Sequence, residues 1–341
     1  MPPLSTDPGI ECLTTVPSSA DLPANRFRQG VGAVGRWSER HGFSASLIYS
    51  DNRLVDPWMV AQLLAQDTER LVPLVAVQPA YAHPYHVATL VTSLAWIHGR
   101  RTYLNIVAGG FRNDLKALDD PTPHDRRYDR LVEYTRILME LLEGKAPVTF
   151  HGEFYRVTDL QLSPPLPPEL MPEVFISGSS EAGRRAGDAL DARPVAYPKP
   201  PGLEEEAHAP PERKPGLRVG IIAREERREA WQAAHHRFPA NRRGQVMHRM
   251  ARKVSDSVWH RELSEIAEER ASEGDPYWLV PFENYATMCP YLVGSYDEVG
   301  RQLARYQDLG YRTFILDIPR EEDDLVHARA AFRAVRSEEK V

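Results

Sequence analysis

The stretch Glu173–Ser180, EVFISGSS, decides how we interpret the fold of this chain. Val174–Ile176 is a short apolar run of strand-forming side chains, and Ser177–Ser180 is a turn of small residues. Glu181–Leu190 then has the composition of a helix. A strand that passes through glycine and serine into a helix directs backbone N–H groups and hydroxyls at one place, which suits a phosphate. An ordinary serine-capped helix start has the same composition, because serine caps are common.

On both sides of this stretch, apolar strand candidates alternate with helix candidates. The strand candidates are Ile10–Val16, Ala45–Tyr49, Leu71–Val77, Thr102–Val107, Val174–Ile176, Arg193–Tyr197, Leu217–Ala223 and Thr313–Ile318. Several are continuously apolar, which is typical of parallel strands covered by helices on both faces. The pattern predicts an α/β fold, a single (β/α)8 TIM barrel. An open doubly wound sheet is the alternative, but the first strand is not followed by G-x-G-x-x-G, which weakens a dinucleotide-binding interpretation.

Two segments interrupt the alternation. Residues 148–162, VTFHGEFYRVTDLQL, have HGE at their centre and predict an inserted β-hairpin. Residues 239–291 predict an insertion after the seventh strand, helical and charged at first and aromatic and irregular from Asp275 onward. The stretch Leu203–Pro215 is too short and too rich in proline for a full helix. We therefore predict one barrel domain over residues 1–341 that carries a hairpin, a helical insertion and a lid segment.

The composition excludes several classes of protein. Charged residues make up 26% and hydrophobic residues 42% of the chain, as in globular proteins, and a net charge of −6 provides no basic surface for nucleic acid. No apolar run approaches the roughly 20 residues that span a bilayer, and the N-terminus has no signal-peptide pattern. Cys12 and Cys289 are too far apart in sequence for a disulfide framework or a zinc motif, so we expect a cytoplasmic protein.

In (β/α) barrels the chemistry lies at the C-terminal ends of the strands. Those ends supply Thr14, Thr15, Tyr49, Ser50, Asp51, Gln78, Asn105, Ala108, Gly109, Gly110, Ser177–Ser180, Tyr197, Arg218 and Asp317. Small residues at Gly109 and Gly110 leave room for a flat ring, and Asn105 could hydrogen-bond its polar edge. A plain glycine loop and an asparagine that ties neighbouring strands explain these residues equally well. The chain has no G-x-S-x-G, no H-E-x-x-H and no histidine–carboxylate metal spacing, so we expect no metal and a cofactor that supplies the chemistry.

Six longer runs carry a family resemblance: Leu74–Pro84, Arg101–Gly110, His124–Lys145, Val148–Val157, Val174–Gly183 and Tyr291–Leu316. In order along nearly the whole chain, they resemble the bacterial luciferase-like, flavin-dependent monooxygenases, and the alkanesulfonate monooxygenase branch most closely. The resemblance implies a (β/α) barrel and activation of O2 on reduced FMN. It also implies a separate NAD(P)H:flavin reductase that supplies the flavin, and a homodimer.

The resemblance also implies roles for individual residues. The turn at Ser177–Ser180 would hold the FMN phosphate, and the end of the fourth strand would lie beside the isoalloxazine ring. Arg218 falls where the sulfonate branch has an arginine near flavin and substrate. The residues implied in cofactor binding are Asn105, Gly109, Tyr128, Gly178, Ser179 and Ser180.

Three residues tied to sulfonate chemistry are replaced in this chain. The cysteine, histidine and tyrosine of that branch fall at Leu54, Gly220 and Ile318. We therefore predict a two-component FMN monooxygenase that inserts one oxygen atom into another small organic or carrier-protein-tethered substrate, in secondary metabolism such as antibiotic biosynthesis. The alternatives are an alkanesulfonate-type enzyme that releases sulfite, a deazaflavin-dependent oxidoreductase on the same barrel, and a flavin-binding protein with little catalysis.

Substrate specificity is expected to lie in the insertion. The segment Tyr277–Gly294, YWLVPFENYATMCPYLVG, replaces a glycine-rich mobile loop of the sulfonate branch, and we interpret it as a substrate lid, with a packed connector as the alternative. Glu283 and Tyr285 within it are candidates for proton transfer, and Arg218 completes the candidate catalytic set by stabilising an anion. The run Arg242–Lys253 could bind an acidic carrier protein, or be a solvated helix face.

Overall fold

The fold is described by a computed structural model of residues 9–269 and 274–335. Its strands in chain order are β1 (Glu11–Thr15), β2 (Ala45–Ile48), β3 (Val72–Val77), β4 (Tyr103–Val107), β5 (Val148–His151), β6 (Arg156–Leu160), β7 (Val174–Ser177), β8 (Arg193–Ala196), β9 (Gly216–Arg224), β10 (Tyr277–Trp278), β11 (Tyr291–Ser295) and β12 (Thr313–Leu316). Its helices are α1 (Ala24–Arg40), α2 (Pro57–Asp67), α3 (Pro84–His98), α4 (Arg112–Ala117), α5 (His124–Glu143), α6 (Glu181–Ala189), α7 (Arg227–Arg237), α8 (Arg242–Val254), α9 (Val258–Glu269), α10 (Val280–Glu283), α11 (Tyr296–Asp308) and α12 (Glu322–Ala334).

Eight parallel strands close into a barrel. Their order around it is β1, β2, β3, β4, β7, β8, β9 and β12, and β12 pairs back onto β1 with Glu11 opposite Thr313. These are the eight strands that the apolar runs predict, so the (β/α)8 prediction is confirmed and the open doubly wound sheet is wrong. Within the described ranges, no helix is long and apolar enough to cross a membrane.

The barrel interior is packed with side chains, as in other (β/α) barrels. Leu13, Leu74 and Phe175 are fully buried there. Near the N-terminal ends of the strands, the Arg193 guanidinium lies 4.4 Å over the Phe175 ring and donates a hydrogen bond of 2.5 Å to Glu11. A ligand therefore finds room at the other end, beyond the C-terminal ends of the strands.

The predicted interruptions are present. The hairpin of β5 and β6 is antiparallel, and the Glu133 carboxylate of α5 accepts the backbone N–H groups of Glu153, Phe154 and Tyr155 at its tip. Between β8 and β9, a short 3-10 turn at Pro211–Arg213 stands where other barrel units have a full helix, as the proline content predicts.

One parallel strand was not predicted. β9 has nine residues, and its first half pairs with β8 and β12 inside the barrel. Its second half, Gly220–Arg224, pairs instead with β11, and β10 adds to β11 in the antiparallel direction. Residues 275–291 were predicted to be irregular, but they contain the short β10 and the start of β11.

Candidate active site

A cavity of about 1010 Å³ lies at the C-terminal ends of the barrel strands. This is at the upper end of the usual range for ligand pockets. Eight of the nine candidate site residues line it: Asn105, Gly109, Tyr128, Gly178, Ser179, Ser180, Arg218 and Tyr285. Glu283 is not part of the lining. In the part of the chain that the structure describes, no group of three or more His, Cys, Asp or Glu side chains could hold a metal ion.

The turn between β7 and α6 has the properties of a phosphate cradle. Ser180 caps α6, and its hydroxyl accepts the Gly183 N–H at 3.1 Å. The other N–H groups of the first turn have no acceptor within the helix and are available to bind an anion. The Ser179 hydroxyl is buried and has no hydrogen-bond partner among the described residues. A buried hydroxyl without a partner is costly, so a ligand that accepts its hydrogen bond would stabilise the turn.

Glycine at position 178 is required by the close approach of Tyr128. A Cβ atom at Gly178 would lie 2.5 Å from the Tyr128 hydroxyl oxygen. Burial raises the pKa of Tyr128, and its contact with the Ser180 side chain offsets part of that rise. Tyr128 is therefore a neutral donor beside the cradle, and the residues at this turn fit a phosphate group.

Asn105 and Gly109 lie on the adjoining wall. The Asn105 side-chain oxygen accepts a hydrogen bond of 2.9 Å from the Ser177 hydroxyl, so Asn105 both ties β4 to β7 and lines the cavity. Its amide NH2 group is the part it can offer to a ligand. Gly109 has a φ of +92°, in the left-handed region that favours glycine. Its carbonyl accepts a hydrogen bond of 2.7 Å from Arg127.

Arg218 is held at the base of the cavity by a buried network. Its guanidinium donates to the Tyr197 hydroxyl at 3.1 Å, pairs with Asp317 at 3.5 Å, and lies 4.5 Å over the Tyr49 ring. The Arg218 Nε–H is buried without a partner among the described residues. One donor of this cation therefore remains for an anionic group.

Asp317 connects Arg218, at the base of the cavity, to the segment that follows α10. It accepts hydrogen bonds from the Thr287 hydroxyl at 2.6 Å and the Tyr291 hydroxyl at 2.8 Å. Burial alone would raise its pKa, but Arg218 and these two donors hold the pKa of Asp317 below its usual value. Asp317 is therefore an anion that fixes both the cation and the cavity wall.

The helical insertion supplies part of the wall that sequence reasoning missed. The Trp259 ring at the start of α9 stacks on Tyr197, with ring centroids 3.8 Å apart. The Asp256 carboxylate accepts a hydrogen bond of 2.7 Å from Arg127, and its N–H donates to the Gly110 carbonyl at 3.1 Å. The only sequence signal was an aromatic and an acidic residue next to an arginine-rich helix.

The predicted lid divides into two parts. Tyr277, Trp278 and Phe282 are buried in the core, so the first half is a packed connector. Tyr285–Met288 lines the cavity. Burial raises the pKa of both Glu283 and Tyr285, which keeps the Tyr285 hydroxyl protonated. The structure brings Tyr285 to the cavity but leaves Glu283 at the end of α10, outside the lining.

The three positions that differ from the sulfonate branch have clear surroundings. Leu54 and Ile318 line the cavity. A Cβ atom at Gly220 would lie 2.3 Å from the Tyr291 ring, so that ring fills the space beside position 220. Tyr291 in turn is hydrogen-bonded to Asp317. A larger residue at position 220 would therefore require Tyr291 to move.

The fold and site agree with what the chain resembles. The family model described as luciferase-like monooxygenase matches residues 9–313. The chain belongs to this family, as the sequence runs predicted. Among curated relatives, the 4-(gamma-L-glutamylamino)butanoyl-[BtrI acyl-carrier protein] monooxygenase BtrO of Niallia circulans is 34% identical over 308 residues, which is 88% of this chain and 89% of that protein.

Solved structures share the fold at low identity. DmoA from Hyphomicrobium sulfonivorans has a TM-score of 0.74 and 15% identity, over 97% of this chain and 88% of its own. The EDTA monooxygenase EmoA from Chelativorans sp. BNC1 has a TM-score of 0.72 and 13% identity, over 96% of this chain and 94% of its own. These similarities establish the fold alone.

Proposed function

We propose that this chain is a monooxygenase that uses reduced FMN and O2 to insert one oxygen atom into an acyl group carried by an acyl-carrier protein. The observation that carries the cofactor assignment is the buried Ser179 hydroxyl in the glycine turn between β7 and α6, which has no hydrogen-bond partner among the described residues. The substrate assignment is supported by the relative from Niallia circulans, whose name gives a carrier-bound acyl substrate. We also propose a role in secondary metabolism, such as antibiotic biosynthesis.

The residues of the cradle would hold the phosphate, with Tyr128 as an added donor. Asn105 would offer its amide to the polar edge of the ring, and Gly109 would let the ring approach the backbone. When bound, reduced FMN supplies the two electrons with which O2 gives one oxygen atom to the substrate and one to water. We propose that a separate NAD(P)H:flavin reductase delivers it, and that the enzyme is a homodimer.

The residues of the chain bind and orient the cofactor and the substrate, and they exclude water from the cavity. Trp259, Leu54 and Ile318 give the cavity an apolar wall, which keeps water from the reacting groups. Arg218 is a buried cation that would stabilise negative charge near the substrate. Tyr285 is a cavity residue whose protonated hydroxyl would donate a hydrogen bond to the substrate, whereas Glu283 lies outside the lining.

The decisive experiment is an anaerobic titration with reduced FMN, followed by addition of O2 and substrate. The substrate is a carrier protein loaded with the 4-(γ-L-glutamylamino)butanoyl group, and mass spectrometry should find one added oxygen atom. Absence of binding to reduced FMN would refute the cofactor assignment, and tight binding of a reduced deazaflavin instead would favour an oxidoreductase. Release of sulfite from an alkanesulfonate would favour the sulfonate alternative.

A further inference from the structure

The outer face of α8 combines arginines with exposed apolar side chains. Its exposed residues are Arg242, Arg243, Val246, Met247, Arg249 and Met250. Their spacing of three and four residues places them on one side of the helix. Met247 is 48% exposed and Met250 63% exposed. Adjacent exposed apolar side chains on a surface helix, bordered by charged residues, are typical of an interaction site.

Among the described residues, no acidic side chain forms an ion pair with the outer arginines of this face. Residues 242–254 contain no aspartate or glutamate. Arg252 is half-buried and pairs with Glu268 at 2.5 Å. The exposed Arg242, Arg243 and Arg249 have no ion pair with any described residue. The net charge of the chain is −6, so this basic face is opposite in sign to the protein as a whole. A partner with negative charge would be drawn to it in preference to other surfaces.

The opposite face of α8 packs on the other elements of the insertion, α9 and α10. Gly244 lies against the Asn284 carbonyl, where a Cβ atom would come within 1.8 Å. His248 is buried, with its ring 5.0 Å from His260 and 4.6 Å from Phe282. The outward direction of the arginines and methionines is therefore fixed by the packing of the inner face.

Both ends of α8 are tied to the rim of the cavity. At its start, the Gln245 side chain donates to Asn284 at 3.2 Å, next to the cavity residue Tyr285. At its end, Ser255 forms a β-bridge with Phe111, and Ser257–Trp259 lines the cavity. The helix is about 20 Å long at 1.5 Å per residue, so a partner seated on it lies beside the cavity mouth.

We propose that the exposed face of α8 is the docking surface for the acidic acyl-carrier protein that delivers the substrate. The proposal rests on the proposed function, since it assumes a carrier-bound substrate. Carboxylates of the carrier would pair with Arg242, Arg243 and Arg249 and fix its orientation. Met247 and Met250 would give the contact an adaptable apolar centre.

The test compares two substrates with the same acyl group. One is the acyl group on an acyl-carrier protein, and the other is its pantetheine thioester, which needs no protein contact. The double variant Arg242→Glu/Arg249→Glu reverses two charges on the face. The matched control is Arg136→Glu, an exposed arginine of α5 without an ion pair among the described residues. Carrier binding is measured independently of turnover by fluorescence anisotropy with a labelled carrier.

The double variant should raise the carrier Kd and the KM for the carrier-bound substrate at least about tenfold, because attraction becomes like-charge repulsion. Its kcat/KM for the pantetheine thioester and its affinity for reduced FMN should stay at the wild-type values. The control Arg136→Glu should leave both of these, the carrier Kd and the KM for the carrier-bound substrate unchanged. Raising the salt concentration should weaken wild-type binding of the carrier more than that of the double variant.

Three results would overturn the docking surface. The first is an unchanged carrier Kd in the double variant, and the second is an equal loss in Arg136→Glu. The third is a change from dimer to monomer in light scattering with carrier affinity intact, which would assign the face to a second copy of the chain. Failure of the wild type to oxidise either substrate would instead refute the proposed function, and loss of carrier binding in the double variant would still support the docking surface.

Discussion

Removal of the Asp317 carboxylate is the sharpest test of the buried network at the base of the cavity. Asp317 faces Arg218 at 3.5 Å and accepts hydrogen bonds from Thr287 and Tyr291. Its side chain is 9% exposed and that of Arg218 is 4% exposed, so the pair is shielded from bulk water. The variant Asp317→Ala leaves a buried guanidinium without its counter-charge.

The expected cost can be worked from these distances. At 3.5 Å, two unit charges attract by about 5 kcal/mol with an effective dielectric constant of about 20. Desolvation offsets part of that attraction, and removal of one partner of a buried pair costs about 3–5 kcal/mol. Arg218→Met should lower the free energy of unfolding by a similar amount. The double variant should lose much less than the sum of the two single losses. The coupling free energy should therefore reach about 2–3 kcal/mol.

Equilibrium urea denaturation followed by tryptophan fluorescence measures these differences. Asp308→Ala is the control, because this exposed aspartate at the end of α11 has no ion pair with a described residue, and its loss should change stability by less than about 0.5 kcal/mol. An Asp317→Ala loss below about 1 kcal/mol, as for a surface pair, or strictly additive effects in the cycle, would refute the reasoning.

The pH dependence gives an independent check. The folded-state pKa of Asp317 lies below its ordinary value, so its stabilising contribution is complete above the unfolded pKa of about 3.9 and is lost as pH falls through the folded pKa. The stability difference between the wild type and Asp317→Asn should therefore be constant near neutrality and shrink in acid below about pH 4. A difference that persists unchanged in acid would contradict the assignment of an ionised Asp317.

Three further predictions test other parts of the site. Gly178→Ala places a methyl group 2.5 Å from the Tyr128 hydroxyl and should weaken binding of reduced FMN at least about tenfold. The control Gly202→Ala, whose methyl group meets no atom within 4 Å, should not weaken it. Equal affinities of the two variants in the titration would count against the cradle. Gly220→Ala should cost about 1–3 kcal/mol in urea denaturation because its methyl group meets the Tyr291 ring, and the same change should cost little in a Tyr291→Ala background. Burial lowers the pKa of His260 to about 4, so protonation of its ring favours the unfolded chain and the free energy of unfolding should fall as pH drops from about 6.5 to 4. His260→Leu should reduce this dependence of stability on pH. An unchanged pH dependence would contradict the buried neutral ring.

Much of the barrel could be predicted because its strands carry a strong local signal. Val72–Val77 is a continuous apolar run between helices, and Tyr103–Val107 is apolar apart from Asn105. Parallel strands buried on both faces require such apolar runs. β11 carries a weaker signal, because its apolar run is only Tyr291–Val293 and follows a stretch without periodicity. It has five residues, ends in Gly294–Ser295 and pairs with the half of β9 that extends beyond the barrel, so its existence depends on a tertiary pairing.

The site divides in the same way. Asn105, Gly178 and Arg218 could be predicted to meet because barrel topology brings the C-terminal ends of strands together. Their roles in catalysis and cofactor binding remain predictions. Trp259 and Asp256 could not be found from sequence, because the docking of an insertion onto the barrel leaves no periodic pattern. Glu283 and Tyr285 were both predicted as proton-transfer candidates from the lid segment, but only Tyr285 lines the cavity, whereas Glu283 is the last residue of α10.

The barrel and its insertion make separable contributions, and this makes the proposals distinguishable. The cradle that follows β7 and the Arg218–Asp317 pair belong to the barrel, so changes there should affect carrier-bound and pantetheine substrates equally. The outer face of α8 touches neither the cavity nor the cradle, although Ser255 ties its end to the rim. A defect confined to carrier-bound substrate can therefore arise only from docking, whereas a defect in both substrates points to the cavity. Comparing the two substrates across the Asp317 and α8 variants thus separates recognition of the carrier from chemistry on its cargo.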